Sequence, residues 1–394
     1  MATSDGTTGR YLVLYEESAT AAAGVQEIND VTGIQTVSLD PSDESSVVAE
    51  RLSQADGISF DKLRVACVDA DSAQLSRLRD AAAGPGPIAM VEPERIVHAI
   101  PAAPATEAST LDESVYTWGL QAIGAPGSDA TGKGIRVAVL DTGFDVKHPD
   151  FAGRTVTTAS FVKDEDVQDG HGHGTHCIGT SCGPRKVDGG PGYGVAYEAE
   201  IFAGKVLSNK GSGTDRGILA GIEWAINNDC AVISMSLGAA TAPDTPFSPL
   251  FEEVAVRAMA AGTLIIAAAG NESDRRVGRI NPVGHPANCP SIMAVGATDP
   301  KTEIAYFSCG TVGDIGAVDI VAPGWDVHSS VPMPKRYAKM KGTSMATPHV
   351  AGVAAQIAQK YGSRAWELWA RLAQGSRRLP LPSTDVGSGL VQAP

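Results

Sequence analysis

The sequence predicts an α/β protein: a large domain built on a mainly parallel sheet, preceded by a small α+β unit. Three observations lead there. After about residue 118, short continuous apolar runs alternate with stretches whose apolar residues fall at helical spacing. Strands that are apolar on both faces and separated by helices form parallel sheets with helices covering each side. Residues 10–100 carry their own strand and helix alternation and read as a compact module of under 100 residues, and 394 residues exceed one average domain.

In the first unit, YLVLY (11–15) reads as a strand, an Ala-rich stretch near 18–29 as a helix, and RVACVDA (64–70) as a strand. SAQLSRLRDAAA (72–83) is a second helix, and IAMVEPERIVHAI (88–100) holds the last strand. PAAPATEASTLDES (101–114) lacks periodicity and reads as an exposed linker. In the large domain the strands are RVAVLDT (136–142), EIFAGKVL (200–207), AVISMSLG (231–238), TLIIAAAGN (263–271) and SIMAVGAT (291–298). GILAGIEWAINN (217–228) and PLFEEVAVRAMAAG (249–262) are helices between them. The expected division is 1–100, a linker at 101–115, and 116–394, with no internal repeat.

The net charge of -14 is spread along the chain, which disfavours nucleic acid or an anionic membrane as partner. No run of 18 apolar residues is present, and MATSDGTTGRYLVLYEES lacks the basic and apolar regions of a signal peptide. As written, the chain reads as cytoplasmic, or as exported if a leader was removed. Six scattered cysteines are too few for a disulfide scaffold and read as buried thiols, with Cys289 and Cys309 the first pair to check for a bond. No phosphate-binding glycine loop occurs, so a nucleotide-binding reading fails.

Chemistry in parallel sheets gathers at the carboxyl ends of strands. Asp141 follows four apolar residues there; a carboxylate so placed needs a partner, although a turn or helix-cap aspartate would look the same. In DGHGHGTHCIGTSCG (169–183) a Gly-rich turn leads into a helix that starts near His173, where the helix terminus disfavours an imidazolium. Alone, His171, His173 and His176 with Cys177 and Cys182 suggest zinc as readily as a base, but Thr175 stands where an H-x-H-x-D-H motif needs Asp. In GTSMATPHVAGVAAQIA (342–358), Ser344 opens an apolar helix, either as a cap or as a nucleophile whose own N–H faces an oxyanion.

Together, Asp141-Thr142-Gly143, His173-Gly174-Thr175-His176 and Gly342 to His349 resemble the D-[ST]-G, H-G-T-H and G-T-S-M-A-x-P-H motifs of the subtilisin-like serine proteases, in that family's order. The resemblance covers roughly 116–394 and implies a subtilisin-like three-layer domain acting as a serine endopeptidase. It implies Ser344 as nucleophile, His173 as base, Asp141 as its orienting partner and Asn271 as an oxyanion donor. It implies that Gly211, Ser212 and Gly213 on one side, and Ser236, Leu237 and Gly238 on the other, clamp an extended peptide substrate. Gly238, Gly270 and Gly284 match the first specificity pocket, with room for a large apolar side chain, and Asp215 matches a pocket further along the substrate.

The first hundred residues resemble the inhibitory prodomain of the same family, an inhibitor-I9-like, ferredoxin-like module that lays its carboxyl end in the cleft, especially through MVEPERIVHAI (90–100). Pro101 departs from the pattern, because proline fits a protease cleft poorly, so processing is expected later, between Ala102 and Tyr116. No cofactor is implied for the chemistry. Structural calcium is implied at Asp150, although the partner loop GPRKVDGGPGYG (183–194) lacks the matching asparagine. Cys177 falls where some subtilases carry a free cysteine and otherwise reads as a small buried hydrophobe. The alternative from another class is a catalytically silent binding protein held permanently by its prodomain.

Overall fold

A computed structural model describes residues 6–40, 43–100, 103–104 and 111–394. The chain begins with β1 (Thr7–Tyr15), α1 (Ala21–Thr32), β2 (Thr36–Ser38), α2 (Ser45–Gln54), β3 (Gly57–Phe60), β4 (Val65–Val68), α3 (Ser72–Ala83) and β5 (Ile88–Ala99). Thr20 caps α1 by accepting from Ala23 N–H, and Asp71 with Gln74 forms a capping box on α3, so local polar residues set both starts. A two-residue strand, β6 (Ala103–Pro104), follows. The linker thus adds a strand where sequence periodicity shows nothing, since two residues carry no pattern. Pro101 lies outside the described residues.

The larger unit runs through α4 (Trp118–Ala122), β7 (Arg136–Asp141), β8 (Val156–Ser160), α5 (His173–Cys182), β9 (Glu200–Lys205), β10 (Ser212–Thr214) and α6 (Asp215–Asn227). It continues with β11 (Val232–Met235), β12 (Leu237–Gly238), α7 (Pro249–Ala260), β13 (Leu264–Ala268), β14 (Met293–Thr298) and β15 (Ile320–Pro323). The hairpin β16 (Val327–Ser330) and β17 (Tyr337–Lys341) precedes α8 (Thr343–Tyr361), α9 (Ala365–Gly375) and α10 (Ser383–Val386). Seven strands make a parallel sheet in the order β15-β14-β13-β11-β7-β9-β8. Its crossovers put α6 and α7 on one face and α5 and α8 on the other, the three layers expected. Among the described residues, no helix is long and apolar enough to cross a membrane.

The second seven-stranded sheet is shared between the units: β10-β5-β1-β4-β3-β2, with β12 also paired to β5. The pleat sorts its side chains. Val13, Tyr15, Ala66 and Val68 pack with Ile28 of α1 and Leu78 of α3, whereas Leu12, Leu14, Val65 and Cys67 join the core beneath α6 and α7. Carboxylates fix the docking in both directions. Glu92 accepts from Ser248 Oγ and Leu250 N–H at the start of α7, and Glu94 accepts from Arg216 N–H at the start of α6. In return Glu223 accepts three backbone N–H groups from Asp61, Lys62 and Leu63, and Arg257 donates to the carbonyls of Leu63, Arg64 and Tyr15.

Candidate active site

Asp141 ends β7 at the carboxyl edge of the sheet and is 1% exposed. Its two oxygens lie 2.8 and 3.0 Å from His173 Nδ1, and Oδ1 also accepts from Thr142 N–H at 2.7 Å. His173 is the first residue of α5, after Gly172 at φ 98°. Among the described residues, its buried Nε2 has no hydrogen-bond partner. Burial disfavours the imidazolium, yet the Asp141 carboxylate, with Cys177 beside it, outweighs burial and raises the His173 pKa well above its usual value. The direction is opposite to the neutral ring that the sequence suggests from the helix terminus.

Ser344 is the second residue of α8, which packs along α5. Cys177 touches both halves of the site: its Sγ is 3.9 Å from His173 Nδ1 and donates to Ser344 O at 3.5 Å. Asn271 Oδ1 accepts from Thr343 N–H and Thr343 Oγ1 at 2.9 Å each, which fixes the amide beside Ser344 and leaves its NH2 as the donor end. Ser344 Oγ donates to the Ile100 carbonyl at 3.1 Å and to Ser236 O at 3.3 Å.

Ile100 ends a strand laid through a groove. His98, Val97 and Ile96 of β5 pair antiparallel with Ser212, Gly213 and Thr214 of β10, while Ala99 and His98 pair with Leu237 and Gly238 of β12. Ala99 N–H donates to Gly211 O at 2.8 Å, and Ile100 N–H to Ser236 O at 3.3 Å. Gly211 adopts φ +75°, and a Cβ there would meet His171 Nε2 at 3.0 Å. Next to Ile100 remains a cavity of about 240 Å3 bordered by Gly238, Gly270, Gly284 and the Glu272 carboxylate. Gly270 adopts φ +115°, a conformation that strains any other residue, and a Cβ there would displace the Glu272 carboxylate 2.5 Å away. Asp215 is fully buried and accepts from Arg95 N–H at 2.9 Å, with His285 Nε2 at 3.3 Å.

Sequence reading missed two buried supports. Asp169 accepts from Thr142 Oγ1, His171 N–H and Gly172 N–H through Oδ1, and from Thr175 N–H and Oγ1 through Oδ2. It fastens the turn before His173 to the strand end carrying Asp141. Its only signal was the Asp-Gly pair opening that turn. Lys205, fully buried, donates to Thr142 O and Asn209 Oδ1 and pairs with Glu165.

The mixed histidine and cysteine set does not converge. His176 Nε2 faces the Val327 and Ala338 carbonyls, and burial lowers its pKa to about 3. Among the described residues, the group close enough to share an ion is Asp141, His173 and Cys177. Cys289 and Cys309 are free thiols; Cys289 Sγ faces Ser248 O and Cys309 Sγ faces Glu272. The calcium implied at Asp150 does not fit its surroundings. That carboxylate is filled by protein donors: Arg336 Nη2 at 2.8 Å, Tyr193 OH at 2.7 Å and Tyr337 OH at 2.8 Å.

A model of the Subtilase family matches residues 132–375. The chain is 42% identical to Subtilisin Savinase of Lederbergia lenta over 282 residues, covering 70% of this chain and 96% of that one. It is 41% identical to an alkaline protease of Shouchella clausii over 293 residues, covering 73% and 71%, and 40% identical to Subtilisin E of Bacillus subtilis over 276 residues, covering 69% and 67%. Because that match takes in the parallel sheet, both groove strands and the helix of Ser344, the chain belongs to the subtilase family and is a serine endopeptidase.

Proposed function

We propose that this endopeptidase works through Asp141, His173 and Ser344, and that residues 1–100 hold it latent as a prodomain until the chain is cut beyond Ile100. The observation that carries both parts is the Ile100 carbonyl 3.1 Å from Ser344 Oγ, with its strand clamped between β10 and β12. A peptide in that place presents its carbonyl carbon to Oγ. His173 Nε2 takes the hydroxyl proton as Oγ bonds to the carbon, and Asp141 stabilises the imidazolium and keeps Nδ1–H pointed at itself. Ser344 N–H and the Asn271 NH2 donate to the developing oxyanion. The tetrahedral intermediate collapses, the C–N bond breaks, and the amine leaves with the proton from His173. Water then attacks the acyl-enzyme by the same route, releasing the acid and restoring Ser344.

Backbone pairing with Gly211, Ser212, Gly213, Ser236, Leu237 and Gly238 reads substrate sequence weakly, so selection falls to the cavity beside Ile100. Space left next to an isoleucine admits a larger side chain there, as the three bordering glycines suggest. The raised His173 pKa favours work at neutral to alkaline pH, in line with the name alkaline protease borne by some relatives. No metal enters this scheme.

Latency rests on the groove being filled by the chain itself. Pro101 follows the aligned carbonyl and resists cleavage there, which moves processing to the stretch between Ala102 and Tyr116. Intact-mass and amino-terminal sequencing of the active form, beside Ser344→Ala, tests this. New termini should fall in that window, removal of residues 1–110 after folding should raise activity, and residues 1–100 added back should inhibit. Full activity with Met1 intact would overturn latency and make the first hundred residues a permanent accessory unit.

A further inference from the structure

Asp150 lies in the loop that leaves the Asp141 strand, and its side chain is 3% exposed. A carboxylate buried to that degree needs positive charge or several donors. Calcium would bring oxygen ligands, six to eight in all. What surrounds Asp150 is the opposite chemistry, a guanidinium and two phenol hydroxyls. Burial opposes its ionised form, but the bonds from Arg336, Tyr193 and Tyr337 more than offset that and hold its pKa below the usual carboxylate range. Burial and the facing carboxylate push the Tyr193 phenol up, so its hydroxyl stays a donor.

Arg336 belongs to the turn joining β16 to β17, and further bonds tie this turn to the same loop. His148 Nε2 meets Arg336 O at 2.9 Å, and Met333 N–H donates to Asp145 Oδ2 at 3.0 Å. The guanidinium also lies over the Tyr337 ring, 5.0 Å from its centroid. On its other edge β17 pairs with β6, Met340 with Pro104 and Lys341 with Ala103. That segment lies just past the Ile100 carbonyl, where the departing half of a substrate would run.

We propose that Arg336 is a built-in counter-ion for Asp150 in place of a divalent cation, and that through this pair it positions the β16–β17 hairpin for the leaving half of the substrate. The second clause rests on the cleft assignment above; the first does not. Arg336 is a positioning residue and touches no reacting atom. Its planar fork keeps the charge permanent, where a calcium site would empty under a chelator.

Two measurements test it. Thermal unfolding is followed in the full chain carrying Ser344→Ala, with EDTA and with calcium chloride. Whatever shift calcium produces in that protein should be the same after Asp150→Asn, and Arg336→Ala should lower the midpoint by about 2 to 4 °C. The double variant should be no worse than the poorer single one. A calcium shift that Asp150→Asn abolishes places a metal at Asp150 and overturns the counter-ion. Kinetics then compare a peptide extended three residues past the scissile bond with a chromogenic amide that ends at it, using enzyme activated from the full chain. Arg336→Ala should lower kcat/KM about tenfold on the extended peptide, mostly through KM, with little change on the short amide, and Arg336→Lys should recover part of the loss. Equal losses on both substrates overturn the positioning role. An unmutated enzyme inactive on both would instead sink the proteolytic mechanism, leaving the counter-ion to stand or fall on the unfolding midpoints.

Discussion

In the parallel sheet, Ala138, Leu140, Ile233 and Ile265 face α6 and α7 while Val137, Val139, Val232 and Leu264 face α5 and α8, so both faces are covered from within one unit. The N-terminal sheet carries α1 and α3 on one face, while on the other its own α2 contributes Val48 and Leu52 at the margin. That other face, with Leu12, Leu14, Ile58, Phe60 and Val65, closes against α6 and α7 of the larger unit. One sheet is self-sufficient and holds reactive groups at its strand ends; the other depends on its neighbour and places its last strand in the groove. Changes at the strand ends of the first should therefore abolish chemistry without unfolding anything. Changes on the shared face of the second should alter latency without touching turnover.

The largest expected effect is Ser344→Ala, which should reduce hydrolysis by about 10⁶-fold while leaving the unfolding midpoint of the full chain nearly unchanged. His173→Ala, and the two combined, should fall to a similar residual rate, because the groups act as one unit. A double variant far slower than either single one would break the assignment. Next, Asn271→Ala should lower kcat by about 10² to 10³ with KM little altered, as loss of one oxyanion donor does. Near-normal turnover would remove Asn271 from that role.

The shared face gives a smaller effect. Leu14→Ala opens a cavity where β1 meets the larger unit, at a cost of roughly 3 kcal/mol. Inhibition by added residues 1–100 should weaken by about 10²-fold while kcat of the processed enzyme stays the same. If inhibition is untouched, the N-terminal sheet does not depend on that contact, and the contrast between the sheets fails. The smallest effect is on pH. If His173 is the base proposed above, it must be neutral to accept the Ser344 proton, and with its pKa raised kcat/KM should climb with pH through a midpoint above about 6.5. A midpoint below the ordinary imidazole value would mean that burial outweighs Asp141.

Much of this was legible along the chain. The apolar runs before Asp141 and before Asn271, the Gly-rich turn into α5 and the small-residue helix after Ser344 are local signals, and each lies where the sequence reading puts it. Errors gathered in short or edge elements. α2 and β3 of the N-terminal unit, the edge strand β8, and the hairpin β16–β17 were not foreseen: strands of four or five residues carry too little periodicity, and the ten residues of α2 bury just Val48, Ala49 and Leu52. α1 lies three residues later than its Ala-rich stretch suggests because Thr20 caps it.

The sequence by itself determined the covered parallel sheet, the order of Asp141, His173 and Ser344, and the glycines that keep the groove open, all of which depend on neighbours close in the chain. Only the tertiary structure decided who pairs with whom. Asp150 matches a calcium-binding aspartate whose partner loop lacks the asparagine, and it is Arg336, 186 positions away, that takes its carboxylate. The Ile100 carbonyl meets Ser344 across 244 positions, and Cys289 and Cys309, the first pair to check for a bond, are buried thiols that each face an oxygen. The physical reason is that a buried charge or polar group is satisfied by whatever packing brings within about 3 Å, and separation along the chain does not limit that choice.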